Sequence, residues 1–112
     1  MTLKNILAVA ALAVISNVAL AESVHLPQAV EHTKAAIKEG EAGKAPALAE
    51  HAGVALEHAN ASEKAEANPH TSEGIVHLKA AVDTAKKGDA AGGTAHAKEA
   101  LKHLDLAGTA QK

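Results

Sequence analysis

Displaced by 45 positions, the sequence lays every one of its eight histidines on another: His25 on His70, His32 on His77, His51 on His96 and His58 on His103. Over positions 25–58, 12 of 34 residues are identical at that offset. They include Lys34-Ala35-Ala36 with Lys79-Ala80-Ala81, Gly43 with Gly88, and Ala55-Leu56 with Ala100-Leu101. Val30 and Ile37 fall on the apolar Ile75 and Val82. A chain written twice folds as two copies of one unit packed on each other, and the unit has to be found first.

That unit reads as a helical hairpin. No stretch alternates with period two and carries β-branched or aromatic residues, so strands are not expected. Helices are expected over roughly 24–41 and 46–62 in the first copy, broken by Gly40, Gly43 and Pro46, and over roughly 69–87 and 90–107 in the second. Gly88 breaks the second copy, with Gly92-Gly93 as a further break. Pro46 and Pro69 suit first-turn positions, and Asn68 is a good N-cap. Residues 59–68 are the expected connection between copies. Short turns favour antiparallel neighbours, so the fold class is all-α: an up-down-up-down antiparallel four-helix bundle built from two duplicated hairpins, about 24–62 and 69–107.

The first residues read differently. Lys4 precedes a continuous apolar run from Ile6 to Ile15, and Ala19-Leu20-Ala21 is a small-x-small cleavage motif. This is the pattern of a secretory signal over residues 1–21, cut between Ala21 and Glu22. The expected product, residues 22–112, is exported, most simply to a bacterial periplasm, with no membrane attachment after cleavage. Its core is thin: 14 Val, Leu and Ile against 23 Ala. Alanine has the best helix propensity and loses no side-chain entropy, which offsets part of the shortage. The expected apolar seams are Leu26, Val30, Thr33 and Ile37; Ile75, Leu78, Val82 and Ala85; and Thr94, Ala97, Leu101 and Leu104. On that register the histidines take heptad position c, beside the core and largely exposed.

Composition removes several classes of function. The chain has no Cys, Trp, Tyr or Phe, and a formal net charge of −2. Disulfides, thiolate metal centres and a Cys nucleophile are excluded. Nucleic acid is not an expected partner, because nothing stacks on bases or attracts phosphate. No nucleophile–base pair or apolar pocket is visible, so a binding protein is favoured over an enzyme.

The histidines form four pairs, each seven residues apart: His25/His32, His51/His58, His70/His77 and His96/His103. Seven residues are two turns, so both rings of a pair share a face but lie about 10.5 Å apart along the axis. Such a pair cannot chelate one ion alone. Three residues after the first histidine stand Gln28, Val54, Glu73 and Glu99, so in the second copy a carboxylate lies within reach of both rings. Folding each hairpin about its turn brings His32 near the heights of His51 and His58, and His77 near His96 and His103. Interhelical sites of two imidazoles, with or without a carboxylate, are therefore expected among His25, His32, His51, His58, His70, His77, His96, His103, Glu73 and Glu99. Imidazole and carboxylate without thiolate or thioether suit copper(II) foremost, with zinc or nickel as alternatives. Repeated, incomplete sites imply several ions of moderate affinity rather than a catalytic zinc centre. Two rival readings remain open. One is a structural or interaction bundle with incidental histidines; the other is a pH-responsive periplasmic stress protein, since imidazole gains charge on mild acidification.

Segments such as Ala29-Val30-Glu31-His32-Thr33-Lys34-Ala35-Ala36, Leu48-Ala49-Glu50-His51-Ala52 and His96-Ala97-Lys98-Glu99-Ala100-Leu101-Lys102-His103-Leu104 give the chain a family likeness. It resembles the small metal-binding proteins of ammonia-oxidising and related bacteria, which are exported, cysteine-free, alanine- and histidine-rich chains of seven-residue repeats. The resemblance covers essentially all of residues 22–112. It implies binding of several divalent ions, copper foremost, and a role in periplasmic metal homeostasis. Family members are more densely substituted with histidine, whereas Glu39 and Thr84 occupy heptad positions here. Fewer or weaker sites are the implied consequence.

Overall fold

The computed structural model describes residues 24–110, so the expected signal segment and its cleavage point lie outside the described residues. Helix α1 spans 24–41. It is followed by α2 (Ala45–Ala65), α3 (Pro69–Lys86) and α4 (Ala90–Ala110). No strand occurs among the described residues. None of their helices is long and apolar enough to cross a membrane. The four helices pack as the expected antiparallel bundle. Gly40 of α1 lies against Thr94 of α4 and Leu48 of α2, and Leu26 near the start of α1 faces Gly108 near the end of α4.

The two hairpin turns have the same hydrogen bonds 45 residues apart. In the first, Gly43 donates to Gly40 at 3.0 Å and Lys44 to Glu39 at 2.9 Å. In the second, Gly88 donates to Ala85 at 2.9 Å and Asp89 to Thr84 at 3.2 Å. This is the Schellman ending, which requires a left-handed residue just past the helix. Gly43 and Gly88 supply it, at φ of 79° and 88°. Gly92-Gly93 is not a break. Asp89 starts α4 immediately after the turn, and its side chain accepts from the Gly92 amide at 2.8 Å, satisfying an orphan donor of the first helical turn.

Helix α2 runs three residues beyond the expected end, because Ala59, Ala61 and Ala65 carry it into the connection. The connection is then short and clasped. Glu63 accepts from the Asn68 amide at 3.1 Å and from the Ser72 hydroxyl at 2.8 Å. The Asn68 side chain caps α3 by accepting from the His70 amide at 2.8 Å. The first histidine of α3 therefore sits in a capped first turn, with its backbone fixed.

The core differs from the expected seams in one respect that decides the site. The buried line of α1 is Leu26, Ala29, Thr33, Ala36 and Gly40, while Val30 and Ile37 stand half-buried at its edge. In α3 Ala81 is buried where Val82 was expected, and in α4 Ala100 where Leu101 was expected. Small residues occupy the points of closest approach, and the bulkier ones flank them. Buried leucines fit over glycines: Leu104 over Gly74 and Leu48 over Gly93. The buried hydroxyls of Thr33 and Thr94 are satisfied within their own helices, each donating to the carbonyl four residues back at 2.7 Å.

Glycine positions give opposite expectations. A Cβ on Gly53 meets nothing within 4 Å, so Gly53→Ala is expected to stabilise the protein by about 0.5–1 kcal/mol through helix propensity. A Cβ on Gly40 runs into Thr94 and Leu48, so Gly40→Ala is expected to lower the melting temperature. Thermal denaturation of the two variants checks both signs.

Candidate metal centre

The displaced seam re-registers every histidine. With Leu26, Thr33, Ala52, Ala59, Thr71, Leu78, Ala97 and Leu104 at heptad position a, all eight histidines stand immediately before an a residue, at position g. They are neither at c nor largely exposed; all eight are half-buried. Position g flanks a helix–helix seam. When two helices run antiparallel, the same flank of each turns to the same side of the seam, so g meets g. Each hairpin thereby gathers its four histidines into one file.

The files are two zigzag ladders. Between α1 and α2 the order is His25, His58, His32, His51, with ring centroids 5.5, 5.8 and 5.9 Å apart. Between α3 and α4 it is His70, His103, His77, His96, with 6.0, 5.5 and 6.2 Å. The middle pairs stack most nearly parallel, at 13° for His32/His58 and 7° for His77/His103. The seven-residue pairs of one helix do not meet; each ring is bridged by a ring of the facing helix.

One position draws in a carboxylate. Glu73, His77 and His103 each present a ligand atom, and the three atoms lie within 4.8 Å of one another. A four-coordinate ion with bonds of about 2.0–2.1 Å holds its ligand atoms roughly 3.3 Å apart, within a small side-chain adjustment of this arrangement. Glu73 is one turn before His77, the i,i+4 spacing that makes neighbours on a helix. His103 comes from the facing helix. Its Nδ1 is buried without a hydrogen-bond partner. A buried nitrogen left unpaired costs stability, and His103 carries that cost beside the cluster to which it contributes a ligand atom. Imidazole, imidazole and carboxylate form a donor set for borderline divalent cations.

The remaining expected ligands are distributed as follows. His70 and His96 stack at the two ends of the same ladder, beyond the cluster. His25, His32, His51 and His58 form the other ladder, without a carboxylate among them. Glu99 is exposed and faces Lys102 Nζ at 4.0 Å rather than a ring. The signal for the half-buried state of the histidines is the run of Ala29, Ala36, Ala52, Ala59, Ala81 and Ala100 at a and d spacing.

The model of a family described as "Small metal-binding protein" matches residues 1–107. The chain belongs to the small metal-binding protein family. No curated protein matches it. Membership in the small metal-binding protein family and the donor set agree that the bound species is a metal ion.

The orphaned nitrogen gives a prediction with two readouts. Leaving a buried polar atom unpaired costs about 1–3 kcal/mol, so His103→Leu is expected to raise the melting temperature of the metal-free protein. The same variant is expected to lose most of the stabilisation that zinc(II) gives the native chain. Melting curves with and without zinc(II) check both.

Proposed function

We propose that the protein buffers or sequesters divalent metal ions, copper(II) foremost and zinc or nickel after it, in a bacterial periplasm to which residues 1–21 direct it. The observation that carries this is the convergence of ligand atoms of Glu73, His77 and His103 from two helices within 4.8 Å of one another. The choice of copper(II) rests on intrinsic affinity order among ions that accept imidazole and carboxylate, and on the lack of Cys and Met from residue 22 onward. The ladders are side-on and half-open, which suits ions that must come and go. The role is binding rather than catalysis: the cluster is a set of ligands, and the family is one of metal binders.

Calorimetric titration of the protein with copper(II) at neutral pH, beside a variant with all eight histidines changed to glutamine, tests the proposal. The native chain is expected to take up more than one ion and the variant none, with helicity of the variant checked by circular dichroism. At free copper(II) one hundred times the dissociation constant, a single site adds about 2.7 kcal/mol of stability, so the melting temperature should climb with metal concentration. Equal, feeble uptake by both chains would leave the ladders as packing devices of an interaction bundle. N-terminal sequencing of the exported protein should begin at Glu22.

A further inference from the structure

The two ladders share their histidines position for position and differ in what stands beside them. Gln28 occupies in α1 the place that Glu73 occupies in α3, each one turn before the inner histidine of its helix, His32 or His77. In the α1–α2 ladder the first two rings have already closed: His25 Nδ1 and His58 Nδ1 are 3.2 Å apart. That separation is the one two ligand nitrogens take on a four-coordinate ion with bonds of about 2.0–2.1 Å. In the absence of metal it is a hydrogen bond that one ring donates to the other. His32 stacks 5.8 Å from His58 as the next ring along.

We infer that α1 and α2 form a second metal site, all-imidazole and built on His25 and His58, which fills separately from and after the Glu73–His77–His103 site. The inference rests on the metal-binding reading above. The order follows from charge. Glu73, exposed beside two half-buried histidines, brings a negative charge to a divalent cation, an attraction that a neutral side chain does not supply. Gln28 is neutral, and its amide oxygen is a weaker donor. The α1–α2 site therefore takes ions that accept nitrogen ligands, copper(II), nickel(II) and zinc(II), and discriminates more sharply than its counterpart against magnesium and calcium, which need oxygen.

The two hairpins can be read separately by following the eight imidazole resonances by NMR while zinc(II), which is diamagnetic, is added at constant pH. The His77 and His103 signals are expected to move over the first equivalent and those of His25 and His58 over the second. The double variant His25→Gln/His58→Gln should lose the second equivalent and keep the first. Gln28→Glu should tighten the second site at least about ten-fold, the low end of what even an outer-sphere partner of a metal contributes, and bring the two fillings together. Glu73→Gln should weaken the first site to the level of the second. Response confined to the α3–α4 histidines overturns the second site while leaving the metal-binding reading intact. Simultaneous filling with no effect of Gln28→Glu overturns the order. Silence of all eight histidines removes the metal-binding reading and this inference with it.

Discussion

The close approach of helices across alanine and glycine is the constraint on which the rest of the molecule depends. Ala29, Ala36, Ala52, Ala55, Ala59, Ala81, Ala97 and Ala100 are essentially inaccessible, and among the described residues the largest fully buried side chains are Leu48, Leu78 and Leu104. A seam this narrow lets the flanking residues reach across it. If the a and d positions held Leu and Ile throughout, the helices would stand further apart and opposing g residues would face each other across a wider gap. The imidazole ring is short, and its ladder contacts of 5.5–6.2 Å exist because the alanine seam brings its two backbones close. Core composition and site geometry are thus one design, and the scarcity of large apolar residues is part of it.

The antiparallel arrangement also divides labour between the two flanks of each helix. Position g turns toward one neighbour and e toward the other, so the bundle alternates g–g seams, at α1–α2 and α3–α4, with e–e seams. Histidine fills the g flanks. The e flanks hold Val30, Ile37, Leu56, Ile75 and Val82, aliphatic residues packed on the core. Hydrophobic burial therefore joins one hairpin to the other, while the polar, histidine-lined seams lie inside hairpins already closed by the Schellman turns at Gly43 and Gly88. An exposed ion pair, Lys98 with Glu41 at 3.2 Å, also links α4 to α1, but such pairs contribute little.

How much of this was legible in the residues depends on the residue type. Glycine at 43 and 88, proline at 46 and 69 and asparagine at 68 act through backbone geometry, so the helix starts and turns could be read directly. The 45-residue offset gave the pairing of helices, because equal units with short turns must lie antiparallel. The heptad register was misread because alanine stands on every face: Ala35 and Ala80 are half-buried, Ala91 and Ala95 exposed, Ala36 and Ala81 buried. With alanine uninformative, Val30 and Ile37 looked like the seam when they are its edge. The same one-position error moved the histidines from a half-buried flank to an exposed face. Glu73 and Glu99 are equivalent in spacing and both exposed, yet Glu73 joins His77 and His103 while the Glu99 carboxylate lies 4.0 Å from Lys102 Nζ. That difference is a matter of side-chain partners, which spacing along one helix does not reveal.

A buried nitrogen without a partner, in a protein whose apolar core is slight, is a stability cost retained at one particular place. It lies in His103, the one ring of its ladder that meets both His70 and His77. A leucine at the same point would extend the apolar seam and remove the cost. In the proposed function, an ion held by Glu73, His77 and His103 would bridge α3 to α4 on that side of the seam. Those helices are already joined by the turn at Gly88 and packed through Leu104 on Gly74, so such an ion would tighten a pairing that exists without it. Its release would then leave the packed helices in place, the condition that the proposed buffering role requires and that small domains folded only by their metal do not meet.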